Sequence, residues 1–189
     1  MPPPGPQPGP QPGRECGGCN VCCVVLTIDD PALRKVQGVR CPNARPDNRC
    51  GIYDARPQTC RTFLCGWMQH RWVRPALRPD LSGVLIRAQV RDVDGVRRPS
   101  VVVSLLREVA LETDGLAETI AAPVAAGMPV FLEVVGRPGY TYGIARMDRV
   151  LAKAVGARDK PAMMAQLRAY WAQGRAQAAL SSPVPANRH

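Results

Sequence analysis

The chain has 189 residues, 46% of them hydrophobic, enough for one ordinary globular core or for a small module joined to a somewhat larger one. Its longest uncharged apolar stretch, residues 121–132, contains Pro123, Gly127 and Pro129 and is too short to cross a bilayer, which argues against a membrane protein. The net charge of +10 would suit an acidic partner, but the basic residues are scattered and Arg far outnumbers Lys in a chain also rich in Ala, Gly and Pro; codon bias explains this as well as a binding surface does, and nucleic acid is disfavoured.

Residues 1–14 are mostly Pro, Gly and Gln and cannot bury enough apolar surface to order, so a solvated, polyproline-like tail is expected. They hold neither a basic start nor an apolar centre, so no secretory signal is read there. The cysteines are therefore taken as reduced thiols of a cytoplasmic protein rather than as disulfides. Residues 15–75 carry every cysteine, several Gly and Pro punctuators, and only short apolar runs such as 24–28. A segment so poor in core is expected to depend on cross-links for its shape, as small metal modules do.

Beyond Pro79 ordinary periodicity begins. Val84, Ile86, Ala88 and Val90 alternate with Leu85, Arg87, Gln89 and Arg91, the pattern of a half-buried strand, and residues 92–95 read as a turn. Residues 100–106 fit a second strand, although periodicity leaves 105–111 open to a helix. A short helix is expected over 116–126, then a hairpin made of 130–135, Arg137-Pro138-Gly139 and 140–144. Two helices should close the chain. The second has Pro161 at a first-turn position and an apolar stripe of Met163, Met164, Leu167, Tyr170 and Trp171, which is core rather than a cofactor box. Residues 181–189 look frayed.

The chemistry lies in the thiols. Cys16, Cys19, Cys22 and Cys23 fall within eight residues, and Cys41, Cys50, Cys60 and Cys65 follow at intervals that permit loops to fold back. Gly17, Gly18, Asn20, Pro42, Asn43 and Asn48 surround them, which is loop chemistry rather than core. A Cys-x2-Cys turn can point both sulfurs at one zinc ion, but the two such turns here overlap at Cys19 and no second knuckle follows. The Cys-x2-Cys-x2-Cys run, with Cys41 before Pro42 as a remote fourth member, partly matches the way ferredoxins hold a cubane cluster. Adjacent side chains diverge from the backbone, so Cys22 and Cys23 are expected to serve different metals, or one of them to be spare. Four thiolates around a divalent ion leave a net charge of about −2, for which Arg56 and Arg61 are the candidate cations, and His70 is a candidate substitute ligand.

Two elements occur together and in order: Cys16-Gly-Gly-Cys19-Asn-Val-Cys22-Cys23 and Cys50-Gly-Ile-Tyr53-Asp-Ala-Arg56-Pro57-Gln-Thr-Cys60-Arg61. Over residues 15–67 the chain thereby resembles the YkgJ-type cysteine-cluster family, described as a zinc- or iron-chelating domain with a CxxCxxCC signature. The resemblance implies chelation through the cysteines and carries Tyr53, Arg56, Pro57 and Arg61 as motif residues with no catalytic role attached. Pro57 would stiffen a turn, and Tyr53 would pack its ring on the cluster loops while its hydroxyl reaches a backbone partner.

The sequence thus reads as an α+β protein: a loop-rich, metal-stabilised cysteine module at 15–75, then a small strand-and-helix domain at 80–180. All eight cysteines are candidate ligands, and the cofactor is zinc or iron, with a [4Fe-4S] cluster among the alternatives. The expected partner is a metal ion, with no protein partner named. A similar cluster occurs in flagellin lysine methylases, so a methylase-related or metal-dependent enzyme is a second reading. Against it, the chain lacks a Gly-rich nucleotide loop between strand and helix and a paired His and acidic motif. A zinc-stabilised nucleic-acid module is a third, with little aromatic content to support it.

Overall fold

A computed structural model describes residues 9–180 and 182–184, and the chain is α+β as expected. Its cysteine-rich part opens with a short helix α1 (Val21–Val25) and a small hairpin of β1 (Ile28–Asp30) and β2 (Leu33–Lys35). Three more short helices follow, α2 (Gln58–Thr62), α3 (Gly66–Gln69) and α4 (Pro79–Ser82). Then come β3 (Val84–Val93), β4 (Val96–Leu105), α5 (Leu116–Ala125), β5 (Val130–Val134), β6 (Gly143–Arg146), α6 (Asp148–Gly156) and α7 (Lys160–Ala179).

The second sheet has the order β3-β4-β5-β6. Its β3–β4 hairpin closes on Asp94 and Gly95, both at positive φ (57° and 77°), the two-residue turn whose twist matches that of the strands it joins. Pro99 is tolerated inside β4 because β5 pairs only from Val101 onward, so its missing N–H faces no partner strand there. The segment open to a helix turns out otherwise: β4 runs to Leu105, and a 3₁₀ turn at Glu108–Glu112 follows. From there α5 carries the chain across to β5, which lies parallel to β4. β5 and β6 form the expected hairpin, although β6 starts only at Gly143. The closing helices are present. The side chain of Asp159 caps α7 by accepting from the Ala162 N–H at 2.9 Å, and α7 buries Met163, Leu167, Tyr170 and Trp171, leaving Met164 half-buried.

The expected alternation in β3 fails. Val84, Leu85 and Ile86 are all buried, whereas Ala88 is exposed and Val90 is 46% exposed. The first half is covered on both faces, and the second half runs out beyond the core toward the hairpin tip. On one face Val84, Ile86, Val101, Val103, Val130 and Leu132 pack under α5, α6 and α7. On the other, Leu85 packs against Val21 and Val25 of α1. That second face also holds a buried polar group, with Arg87 Nη2 2.7 Å from Glu133 Oε2 and the Ser104 hydroxyl donating to the same oxygen.

Residues 64–77 belong to the same core as the sheet, because Trp67, Met68, Val73 and Leu77 are buried among its side chains. The cysteine-rich part thus wraps the β3 edge of the sheet and protects it from further pairing. The last part of the Pro-rich leader is held as well, contrary to the expectation of a solvated tail. The Gln11 N–H donates to Met68 O at 2.7 Å, and the Arg14 guanidinium donates to the carbonyls of Trp67, His70 and Val73 while lying over the Trp67 ring. Residues 1–8, the rest of that leader, lie outside the described residues, as do 181 and 185–189 of the C-terminal segment read as frayed. Within that segment, the Val184 N–H reaches Gly139 O at 2.7 Å. Among the described residues no helix is long and apolar enough to cross a membrane.

Candidate metal centre

The eight cysteines arrive from separate pieces of backbone. Gly17, at φ +52°, turns the chain between Cys16 and Cys19, and the Cys19 N–H closes the turn on Cys16 O at 2.8 Å. Cys22 and Cys23 follow on α1. The Cys41 N–H donates to Cys23 O at 2.9 Å, fixing the loop after the small hairpin against α1. Cys50 is tied to that loop by a bridge to Ala44, across a turn in which Asn48 takes a positive φ of 65°. Cys60 lies in α2, entered through the buried Pro57, whose carbonyl accepts from the Cys60 and Arg61 N–H groups; this is the stiffened turn expected of it. Cys65 immediately precedes α3.

All eight thiols are free, and all eight line one cavity of about 520 Å³. Its other walls include Val21, Leu26, Leu33, Ile52 and Phe63. In such a lining a thiolate is poorly solvated, and burial raises Cys16, Cys60 and Cys65 above the ordinary thiol range and pushes Cys19 up to about 11. Backbone N–H groups oppose that shift at two sulfurs, those of Val21 and Asp80 at Cys19 and those of Met68 and Trp67 at Cys65.

Cys22 and Cys23 both border the cavity from α1. The Cys22 S–H donates to the Cys23 sulfur, which raises Cys22, with burial adding to the effect, and lowers Cys23 to about 6. Successive side chains on a helix are only about a quarter-turn apart, so on α1 both can reach one concave surface.

The cations differ in part from those expected. Arg56 lines the cavity and acts on Cys16, Cys23 and Cys60, but Arg61 is exposed and is not among the lining residues. Arg49 also lines the cavity, and Lys35, Arg40 and Arg78, none evident in the sequence, act from around it: Lys35 and Arg40 favour the thiolate of Cys23, and Arg78 that of Cys16. Lys35 is 8% exposed, donates to the carbonyls of Val24, Leu26 and Val36, and is lowered from the usual ammonium range by burial. Its signal was the alternation Leu33-Arg34-Lys35, too short to separate a buried lysine from a surface one.

His70 does not serve as a substitute ligand. It lies outside the cavity lining, stacked on Trp72 with ring centroids 5.2 Å apart. Tyr53 borders the cavity but is 57% exposed, its ring covered by Arg56 at 3.8 Å rather than packed into the loops. Among the described residues, no group of three or more His, Cys, Asp or Glu side chains is placed so as to hold a metal ion. The sulfurs share a cavity without being gathered at one point. No protein-family model matches the chain, and neither a curated protein nor a solved structure matches it.

Proposed function

We propose that this protein chelates zinc or iron through its cysteine thiolates, the iron either as a simple ion or as an iron–sulfur centre, and acts as a metal-binding protein. The observation that carries this reading is the convergence of all eight free thiols on one cavity from six separate segments of a well-packed chain. Buried inert cysteines would be scattered through the apolar core, and paired ones would form disulfides. The donor chemistry fits a borderline-soft ion, because thiolate sulfur is the preferred ligand of zinc and of iron–sulfur centres.

The surroundings fit the charge. A divalent ion bound by four thiolates carries about −2, which needs compensation in a partly dry site. Lys35, Arg40, Arg56 and Arg78 supply positive charge around the cavity, and the N–H groups aimed at Cys19 and Cys65 supply partial positive charge at the sulfurs. The motif resemblance to the YkgJ-type cluster family points the same way.

The test is elemental analysis and an ultraviolet–visible spectrum on the full chain purified without oxygen. Zinc in stoichiometric amount with no visible band identifies a zinc protein. Iron with acid-labile sulfide and broad visible absorbance identifies an iron–sulfur protein. A chain that holds neither metal after anaerobic reconstitution refutes the proposal.

A further inference from the structure

The geometry points to two four-thiolate sites rather than one: Cys16, Cys19, Cys22 and Cys65 form the first, and Cys23, Cys41, Cys50 and Cys60 the second, with the adjacent pair Cys22 and Cys23 at their junction. This rests on the chelation proposed above and adds the number of ions and the sharing of ligands. Eight thiols exceed what one tetrahedral ion takes, and a cavity of about 520 Å³ is far larger than a single such ion requires.

The first group is assembled on the sheet. Cys16 and Cys65 both pack against the main core, and Cys19 and Cys65 both pack against the cluster of Val21, Val25 and Leu85, so Cys65 stands at the β3 edge with Cys16 and Cys19 beside it. The turn closed by Cys19 N–H on Cys16 O runs directly into α1, which brings in Cys22.

The second group is assembled by the loops. The hydrogen bond from Cys41 N–H to Cys23 O joins the first two members, and the Cys41 carbonyl accepts from Ala44 N–H at 3.0 Å, while Ala44 bridges to Cys50. Cys60 completes the set from α2, which borders the same cavity and whose Thr59 N–H lies 3.5 Å from Asp30 Oδ2 of β1. Between the groups, Cys22 and Cys23 are neighbours on α1, where successive side chains point about 100° apart. Adjacent residues on one helix can therefore serve two neighbouring ions without sharing a sulfur. In sequence the second group is nested inside the first, so its ion closes the loop from 23 to 60 within the larger loop from 22 to 65.

The two surroundings also differ. Backbone N–H groups of Val21, Asp80, Trp67 and Met68 point at sulfurs of the first group. Side-chain cations reach both groups, Arg56 and Arg78 at Cys16 and Lys35, Arg40 and Arg56 at Cys23. Hydrogen bonds to sulfur tune a thiolate centre, so the two sites should differ in affinity.

The experiment titrates zinc into the reduced full chain without oxygen and counts bound ions in the native protein, in Cys65→Ser and in Cys50→Ser. The expected result is two ions per native chain and one in each variant. A second measurement needs no substitution: cadmium NMR of the cadmium-loaded native chain should show two resonances in the tetrathiolate range with no cadmium–cadmium splitting. One ion per native chain, loss of both ions in both variants, or splitting that reveals a shared sulfur overturns the partition while chelation stands. Binding of no ion at all removes the chelation proposal itself.

Discussion

Gly66 is the residue on which delivery of Cys65 depends, and Gly66→Ala tests how tightly the cysteine-rich part is fitted to the sheet. A Cβ at this position would sit 2.7 Å from Ile86 Cγ2, 3.0 Å from Ile86 Cβ and 3.2 Å from the Ile86 carbonyl oxygen. Ordinary carbon–carbon contacts lie at about 3.5–4.0 Å, so the methyl group is close to an ångström too near. Ile86 cannot retreat, being 1% exposed and paired with Val103 in the sheet. Overpacking of this kind costs about 1–3 kcal/mol, and the better helix propensity of Ala returns at most about 1, leaving a net loss of about 1–2 kcal/mol. The assay is urea unfolding of the reduced, metal-free protein, with zinc affinity measured in parallel. α3 should lift from β3 and carry with it the Trp67 and Met68 N–H groups that serve the Cys65 sulfur, so affinity should fall together with stability. Ile86→Ala opens the space, so the double variant should be about 1 kcal/mol more stable than the sum of the single effects. A Gly66→Ala protein as stable as the native chain, or strict additivity with Ile86→Ala, would show that α3 is not seated as described.

Gly143→Ala should be worse tolerated, since its Cβ would meet the Gly174 carbonyl oxygen at 2.7 Å and Cα at 3.1 Å, backbone atoms of α7 that cannot rotate away; a loss of about 2–3 kcal/mol in the same assay is expected. Arg14→Ala removes a guanidinium shared by the carbonyls of Trp67, His70 and Val73, and should cost about 2 kcal/mol and speed proteolysis of the leader, whereas unchanged protection would mean the leader is not docked. At Asp148 burial raises the carboxyl, but its hydrogen bonds from Arg146 and the Val130 N–H outweigh this and hold it below the usual range. A depressed folded-state value means that its contribution is fully present above the unfolded value, about 3.9, and is lost as pH falls through the folded one. Asp148→Asn should therefore flatten the acid limb of a stability–pH curve, and an unchanged limb would dismiss the pair as a contributor. Chelation of the metal from the loaded protein should loosen residues 15–65 more than the sheet, seen as faster hydrogen exchange confined to that segment; uniform exchange across the chain would count against a metal-dependent module.

Local patterns carried much of the fold. Residues 92–95 read as a turn, and Pro161 with the stripe from Met163 to Trp171 marked α7, because turn residues, a first-turn proline and a helical period need only neighbours in sequence. The thiol-rich segment was legible for a similar reason, since cysteines set among Gly, Pro and Asn are carried by loops and turns rather than by a regular core element. Where the structure departs from those patterns, distant residues decide. Val90 is exposed although it continues the alternation of Val84 and Ile86, because the covering helices and loops end before it. Lys35 is buried because the carbonyls of Val24, Leu26 and Val36 surround its ammonium, and His70 stacks on Trp72 away from the thiols. By itself, then, the sequence determined most of the strands and helices beyond residue 84 and the crowding of thiols between 16 and 65, both properties of short windows, but none of the short elements from α1 to α4. Tertiary structure alone decided that all eight thiols face one cavity, which cations surround it and why position 66 must be glycine, because each depends on surfaces that meet only when the cysteine-rich segment folds around the β3 edge.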